Sequence, residues 1–310
     1  FIIEIGASDR NTADIELLPR MRDAFLVTAE PLLEKTARAI SRRRPPKSAM
    51  DGFEPLGHQH DRGLVLPIAV GPTQHIGGEL QPFFVGGNAG CSSLAKISSM
   101  PASFGAWCKD VREARQVWTQ SLYALLGQFP ANAEVLLVKI DAQGSDLAVF
   151  ESAGQRMEMV RFVAMEVVAD DCRPIYAGQA QCTEIVSRMA GVGFFPLGHV
   201  SCRPKVPRAH MNHYCELEIV FRNMHLQHVN APVPHVIYEL HNLHYNGCSS
   251  FYTTRPQNIL YAWPKTQWFP EYVWPAAQSR TFHANASFGE LYACPAKCAR
   301  GGGDSERCPW

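Results

Sequence analysis

The chain has no surplus of charge, no long apolar run, no glycine-rich phosphate loop and no metal-binding signature, and each absence removes a class of function. Lysine plus arginine and aspartate plus glutamate both number 29, so the formal net charge is zero. Proteins that ride on phosphate backbones or anionic lipid carry a basic excess, and nucleic acid is therefore not an expected partner. No apolar stretch approaches the roughly 18 residues of a membrane span. The longest, such as Leu64 to Val70, are strand-sized, so no span is expected in this sequence. Close histidine pairs include His58 and His60, His225-x-x-His228 and His241-x-x-His244. None has the His-Glu-x-x-His or paired Cys-x-x-Cys spacing of a specific site, and no metal is expected. Internal repeats are absent, and Gly301-Gly302-Gly303 is the single low-complexity patch.

What is present is the composition of a packed globule: 310 residues, 46% apolar and 19% charged, enough for one large domain or a domain with an appendage. Short apolar runs at Phe1 to Ile5, Ala24 to Ala29, Leu64 to Val70, Val135 to Ile140 and Phe162 to Val168 read as strands buried on both faces. Helical patterns fall at Leu32 to Arg44, stopped by Pro45-Pro46, at Ser145 to Ala153, entered through Gly144, and at Ala180 to Ala190, closed by Gly191. The interval between the first two strands holds only a short helix, with Pro19 inside it. Such alternation predicts an α/β doubly wound, mostly parallel sheet. Phe194 to Leu197 and Cys215 to Phe221 read as a last antiparallel pair at the sheet edge, separated by the loop His199 to Asn212.

The texture changes after Phe221. Helical periodicity fades, and four of the six tryptophans (Trp263, Trp268, Trp274, Trp310) appear. The chain is accordingly divided into a domain at 1–223 and an irregular Cys/Trp/His-rich extension at 224–310. Cys294, Cys298 and Cys308, with Cys248 as a fourth partner, are read as disulfides rather than zinc ligands, and the tryptophans as a small core rather than a glycan platform. These cysteines and the Asn285-Ala286-Ser287 sequon point to a glycoprotein of the secretory lumen or the extracellular space. The cysteines before residue 220 are scattered and also fit reduced core residues, so a cytoplasmic location is the alternative. Because the sequence opens at Phe1 inside an apolar run without an initiator methionine, a preceding segment is expected.

The first strand ends in Glu4-Ile5-Gly6-Ala7-Ser8 and the second in Glu30-Pro31. A small residue after the first strand lets backbone approach a ligand, and an acid at the tip of the next strand can accept hydrogen bonds from a ribose diol. A pyrophosphate would need Gly-x-Gly-x-x-Gly, but Gly6 is followed by Ala7, Ser8, Asp9, Arg10 and Asn11, which disfavours a nicotinamide dehydrogenase. S-adenosylmethionine has no phosphate, and its ammonium and sulfonium cations suit Glu4 and Glu30.

Residues 135–154 read VLLVKIDAQGSDLAVFESAG. This segment resembles the Lys-Ile-Asp-x-(Gln/Glu)-Gly-x-(Glu/Asp)-Leu-x-Val-(Leu/Phe)-x-x-Ala signature of the FkbM-type methyltransferase family. EIGAS resembles that family's Asp-x-Gly-Ala-Asn cofactor loop, and Ala29-Glu30-Pro31 its Phe-Glu-Pro. Leu66 to Val70 is similar to its third strand, and Cys91-Ser92-Ser93-Leu94 to its Ser-Ser-Leu. Met165-Glu166 and Glu218 to Phe221 continue the order, so the resemblance covers residues 1–223. It implies a class I Rossmann-like methyltransferase fold of about seven strands, the last antiparallel, with S-adenosylmethionine as cofactor. It also implies O-methylation of a small-molecule or glycan hydroxyl. Cofactor contacts are then expected at Glu4, Gly6, Ala7, Ser8, Glu30, Ala69, Val70 and Asp141.

Methyl transfer to oxygen is an in-line displacement, in which the protein aligns the acceptor and takes its proton. Asp141, at the carboxyl end of the fourth strand, is the first candidate to face the methyl group or the acceptor, while capping of the next helix or bonding to the Gln143-Gly144 turn stands beside that role. Lys139 lies two residues earlier on the same strand face and can pair with Asp141. Glu166 sits in a strand too apolar for an unpaired carboxylate and must face the cleft or a partner. For Glu4, pairing inside the loop is an equal alternative to contact with the cofactor ammonium. The reading from another class is an inactive binding protein that keeps the sheet as scaffold and holds a glycan or protein with its extension, a reading that rests on Ser8 and Arg10 in the first loop.

Overall fold

The computed structural model describes residues 1–7, 13–41, 62–86, 89–98, 111, 113–130, 132–198, 200–202, 216–225 and 232–242. Ser8 and Arg10 lie outside the described residues, as do nearly all of the residues from Pro45 to Gly63 and most of those from His199 to Asn212. So do the cysteines, tryptophans and sequon singled out beyond residue 242, together with His58, His60, His228 and His244.

Seven strands form the main sheet: β1 (Ile2–Ile5), β2 (Leu26–Ala29), β3 (Gly63–Leu66), β7 (Val135–Ile140), β8 (Val160–Val168), β9 (Phe194–Pro196) and β10 (Glu216–Asn223). Their order is β3-β2-β1-β7-β8-β10-β9. β10 runs antiparallel to both neighbours, and the pairs from β3 to β8 are all parallel. The predicted final pair thus exists, with β10 inserted beside β8 and β9 on the outer edge.

Alternation along these strands builds two cores. Ile3, Ile5, Val138, Ile140, Val163, Met165, Ile219 and Phe221 face one side. There they meet residues of α2 (Leu122–Leu126), α3 (Asp146–Glu151) and α4 (Cys182–Gly191). Ile2, Leu26, Leu137, Phe162 and Val220 face the other side, against Ala13, Leu17 and Leu18 of a tight helical segment that ends in a 3-10 turn at Leu18–Arg20. Pro19 is accommodated in that turn, where a missing N–H costs nothing. Strands covered on both faces need apolar residues on both faces, which is why the runs were readable.

Three features differ from the sequence reading. Leu64 to Val70 is not one strand. Pro67 has no N–H to give to a ladder, and Ile68 N–H turns back to the Leu66 carbonyl at 2.9 Å. The chain then leaves the main sheet and forms β4 (Ala69–Val70) in a separate sheet of order β4-β6-β5, with β5 (Glu79–Val85) and β6 (Glu113–Gln120). That second sheet alternates polar and apolar residues and carries Pro82, so it shows no apolar run. It covers Leu32, Ala69, Phe83, Val85 and Val117. The first helix is described as α1 (Leu33–Ser41).

The second difference lies past Asn223, where α5 (His235–Asn242) packs Val236, Ile237 and Leu240 into the core of the main sheet. The third concerns the early cysteines. Cys182 and Cys202 form a disulfide, and Cys91 and Cys172 are disulfide-bonded as well. Reduced core residues is therefore the wrong description for these four.

Candidate functional site

Parallel pairing lines up the carboxyl ends of three strands. Gly6 N–H donates to the Ala29 carbonyl at 3.0 Å, Asp141 N–H to the Ile5 carbonyl at 3.0 Å, and Glu30 N–H to the Leu66 carbonyl at 3.0 Å. Glu30, Gly6 and Asp141 therefore stand side by side at the sheet edge. From β1 the chain goes to β2 on one side and is met by β7 on the other, so this is the topological switch point, where open α/β sheets bind ligands.

Gly6 has φ +79°, and a Cβ there would lie 1.9 Å from the Asp141 carbonyl oxygen. The glycine is demanded by the neighbouring strand as much as by any ligand. Ala7 is buried beside it. Glu30 is buried too; its Oε1 accepts from Leu32 N–H at 2.9 Å, while its carbonyl accepts from the Thr36 hydroxyl at 2.8 Å. Ala69 and Val70, expected at the tip of the third strand, are buried in the second sheet, paired with Thr119 and Gln120.

Behind this edge the sheet turns ionic. Glu4 and Lys139 are register neighbours on β1 and β7, and Glu166 and Glu218 on β8 and β10. Glu4 is buried; its Oε1 accepts from Ala13 N–H at 3.2 Å and its Oε2 meets no donor among the described residues. Burial pushes its carboxyl from 4.5 up to about 7, against the pull of the Lys139 ammonium. For Lys139 burial works to lower the pKa, but the carboxylates of Asp141, Glu218, Glu4 and Glu166 outweigh it and hold the ammonium charged. Its Nζ lies 3.8 Å from Asp141 Oδ2, so the anticipated pair exists.

Asp141 is partly exposed, and its Oδ1 accepts from Gln143 Nε2 at 2.7 Å. The same nitrogen donates to Glu166 Oε2 at 3.1 Å, and Gln143 Oε1 accepts from the Tyr176 hydroxyl at 2.9 Å. Glu166 is raised well above the ordinary carboxyl range by burial and by the charges of Asp141, Glu216 and Asp146. The turn itself is pinned from outside. Asp146 Oδ1 accepts from Ala142 N–H at 2.8 Å and Oδ2 from Gly144 N–H at 3.0 Å, while the Ser93 hydroxyl donates to the Gln143 carbonyl at 2.7 Å. Burial and Asp141 push Asp146 from 3.8 up to about 7.

The structure thus gathers Glu4, Gly6, Ala7, Glu30, Lys139, Asp141 and Glu166 along one rim. Gln143, Asp146, Ser93 and Tyr176 join them, although sequence reasoning does not single them out as site residues. Gln143 and Asp146 lie inside the 135–154 segment and could have been found there, whereas Tyr176, 33 residues away from Gln143, carries no local signal. Among the described residues no three His, Cys, Asp or Glu side chains converge to hold a metal ion, and no helix is long and apolar enough to cross a membrane.

Strand order, the antiparallel β10 and an acidic rim at the switch point define a Rossmann-like sheet of methyltransferase type. The chain belongs to the FkbM methyltransferase domain family, whose model matches residues 5–196. No curated protein and no solved structure matches the chain significantly.

Proposed function

We propose that the protein transfers a methyl group from S-adenosylmethionine to a hydroxyl oxygen, with a carbohydrate or glycan as the acceptor class, in the secretory lumen or outside the cell. The observation that carries the reading is the convergence of Glu30, Gly6 and Asp141 at the switch point of a family-defined methyltransferase sheet. The charge of the rim supports the choice of cofactor. Glu4, Asp141, Glu166 and Glu218 surround a single ammonium, Lys139, and a ligand with sulfonium and ammonium cations would favour the ionised form of the acids that burial holds protonated. Glu4 Oε2, buried without a donor among the described residues, fits the ammonium end, and Glu30 the ribose.

When bound, S-adenosylmethionine supplies the methyl carbon, which gains a bond to the acceptor oxygen as its bond to sulfur breaks. Asp141, partly exposed and held by Lys139 and Gln143, takes the hydroxyl proton. Four disulfide-bonded cysteines among the described residues support the oxidising compartment.

Calorimetric titration with S-adenosylhomocysteine tests the cofactor, and transfer of labelled methyl to a panel of sugars, amines and carboxylates tests the acceptor. Absence of heat at millimolar ligand with folded protein defeats the enzymatic reading, and labelling of amines or carboxylates alone defeats the hydroxyl.

A further inference from the structure

Gln143 is the only non-glycine residue with positive φ among the described residues, at +51°. L side chains avoid that conformation, and when a fold imposes it on a long polar side chain at a site edge, the side chain's placement is the reason to look for. Here the placement is specific. One carboxamide nitrogen faces two carboxyl groups, Asp141 Oδ1 at 2.7 Å and Glu166 Oε2 at 3.1 Å. The other end of the amide accepts from Tyr176, which is 3% exposed and packs against Gly144, where a Cβ would lie 2.6 Å from the tyrosine ring. Only an amide presents two donors on one atom and an acceptor opposite. The two acids can accept but not both donate, so the nitrogen must face them, and the oxygen on the far side accepts from the Tyr176 hydroxyl, which anchors that end of the amide.

We propose that Gln143 is a positioning residue that holds Asp141 and Glu166 as a pair sharing one proton, with Tyr176 fixing the direction of its amide. The inference rests on the reading of this rim as the methyl-transfer site, in which the two acids have different roles. Asp141 accepts the proton of the acceptor hydroxyl, while Glu166, raised by burial, carries the resident proton. Two carboxyl groups bonded to one nitrogen are close neighbours and cannot both ionise cheaply. The charged groups around Glu166 fit this assignment. Asp141 and Lys139 come from β7, Asp146 from α3, and Glu216 and Glu218 from β10, with Tyr176 on the loop, so among these described groups the acids outnumber the cation.

The test is an infrared pH titration of the protonated Glu166 carboxyl stretch, assigned by its loss in Glu166→Gln and recorded on the full chain without cofactor. In the wild type the band persists above the pH at which an exposed glutamate ionises. Gln143→Leu removes a donor that favours the ionised form, so the midpoint rises by about one pH unit, a tenfold change in proton affinity. Tyr176→Phe, which deletes only a hydroxyl, raises it by roughly half as much. If Gln143→Leu does not fold, Tyr176→Phe decides. A midpoint unmoved in the folded variants overturns the proposal, because a merely structural residue would change stability and leave that proton alone. Titration of the wild type with S-adenosylhomocysteine separates the two ideas: absence of binding removes the methyl-transfer reading, while the infrared midpoints report on the pair alone.

Discussion

The carbonyl oxygen of Asp141 lies 1.9 Å from where a β-carbon on Gly6 would stand. The loop that follows β1 and the candidate base at the end of β7 are thus in backbone contact, and neither can shift without the other. Gly6→Ala would combine left-handed strain with displacement of Asp141, at a cost on the order of 3 kcal/mol. Urea unfolding at neutral pH checks this; an alanine variant as stable as the wild type would mean that the strand tips are not so closely apposed.

Glu4 gives the fold a pH dependence of defined sign. Its carboxyl rises from 4.5 to about 7 on burial, so the native state binds the proton more tightly than the unfolded chain. The stability it contributes is complete below about pH 4.5 and is lost as pH rises through about 7. Asp146, raised from 3.8 to about 7, acts in the same direction. Between pH 5 and pH 8 the wild type should lose on the order of 2 kcal/mol more than Glu4→Gln, which keeps the shape and removes one titration. Urea midpoints of the two proteins at those pH values make the comparison.

Glu30 has two roles to distinguish, because its Oε1 already accepts from Leu32 N–H just ahead of α1. Glu30→Gln keeps an oxygen acceptor for that N–H and removes the charge. If the carboxylate also grips the ribose, affinity for S-adenosylhomocysteine falls by about tenfold or more, while the melting temperature changes little. The reverse pattern, lost stability with full affinity, would make Glu30 only the start of a helix.

The strands of the main sheet were legible because a strand covered on both faces must be apolar along most of its length, as Val135 to Ile140 is apart from Lys139. The acids of the rim were legible because parallel strands deliver their ends to one edge, which turns the spacing of Glu4, Glu30 and Asp141 into proximity. The second sheet was not legible. β5 and β6 have one exposed face, with Leu80 and Trp118 directly opposite in register and both exposed, so their pattern is diluted by Gln81, Pro82, Arg115 and Gln116. Tyr176 was hidden, and the partner of Ser93 was hidden although its motif was not, because each reaches the Gln143 turn from a distant segment and only the closed fold brings them there. The same holds for the disulfide, since 20 residues of separation give no hint that Cys182 and Cys202 meet.

That disulfide ties the first residue of α4 to the segment after β9, beside the end of the strand that carries Glu166. Asp170 N–H donates to the Cys202 carbonyl at 2.9 Å, and Gln181 Nε2 donates to the carbonyls of Asp170 and Cys172 at 2.9 and 2.7 Å. The crosslink therefore closes a loop that folds over the carboxyl end of β8. In the chain-entropy account, a closed loop of this length contributes about 3 kcal/mol, by restricting the unfolded chain. The double variant Cys182→Ala/Cys202→Ala should lose about that much in urea unfolding. The wild type in strong reductant should lose at least as much, because Cys91 and Cys172 are disulfide-bonded too. A double variant within about 0.5 kcal/mol of the wild type would mean that the hydrogen bonds of Asp170 and Gln181 already hold this loop without the crosslink.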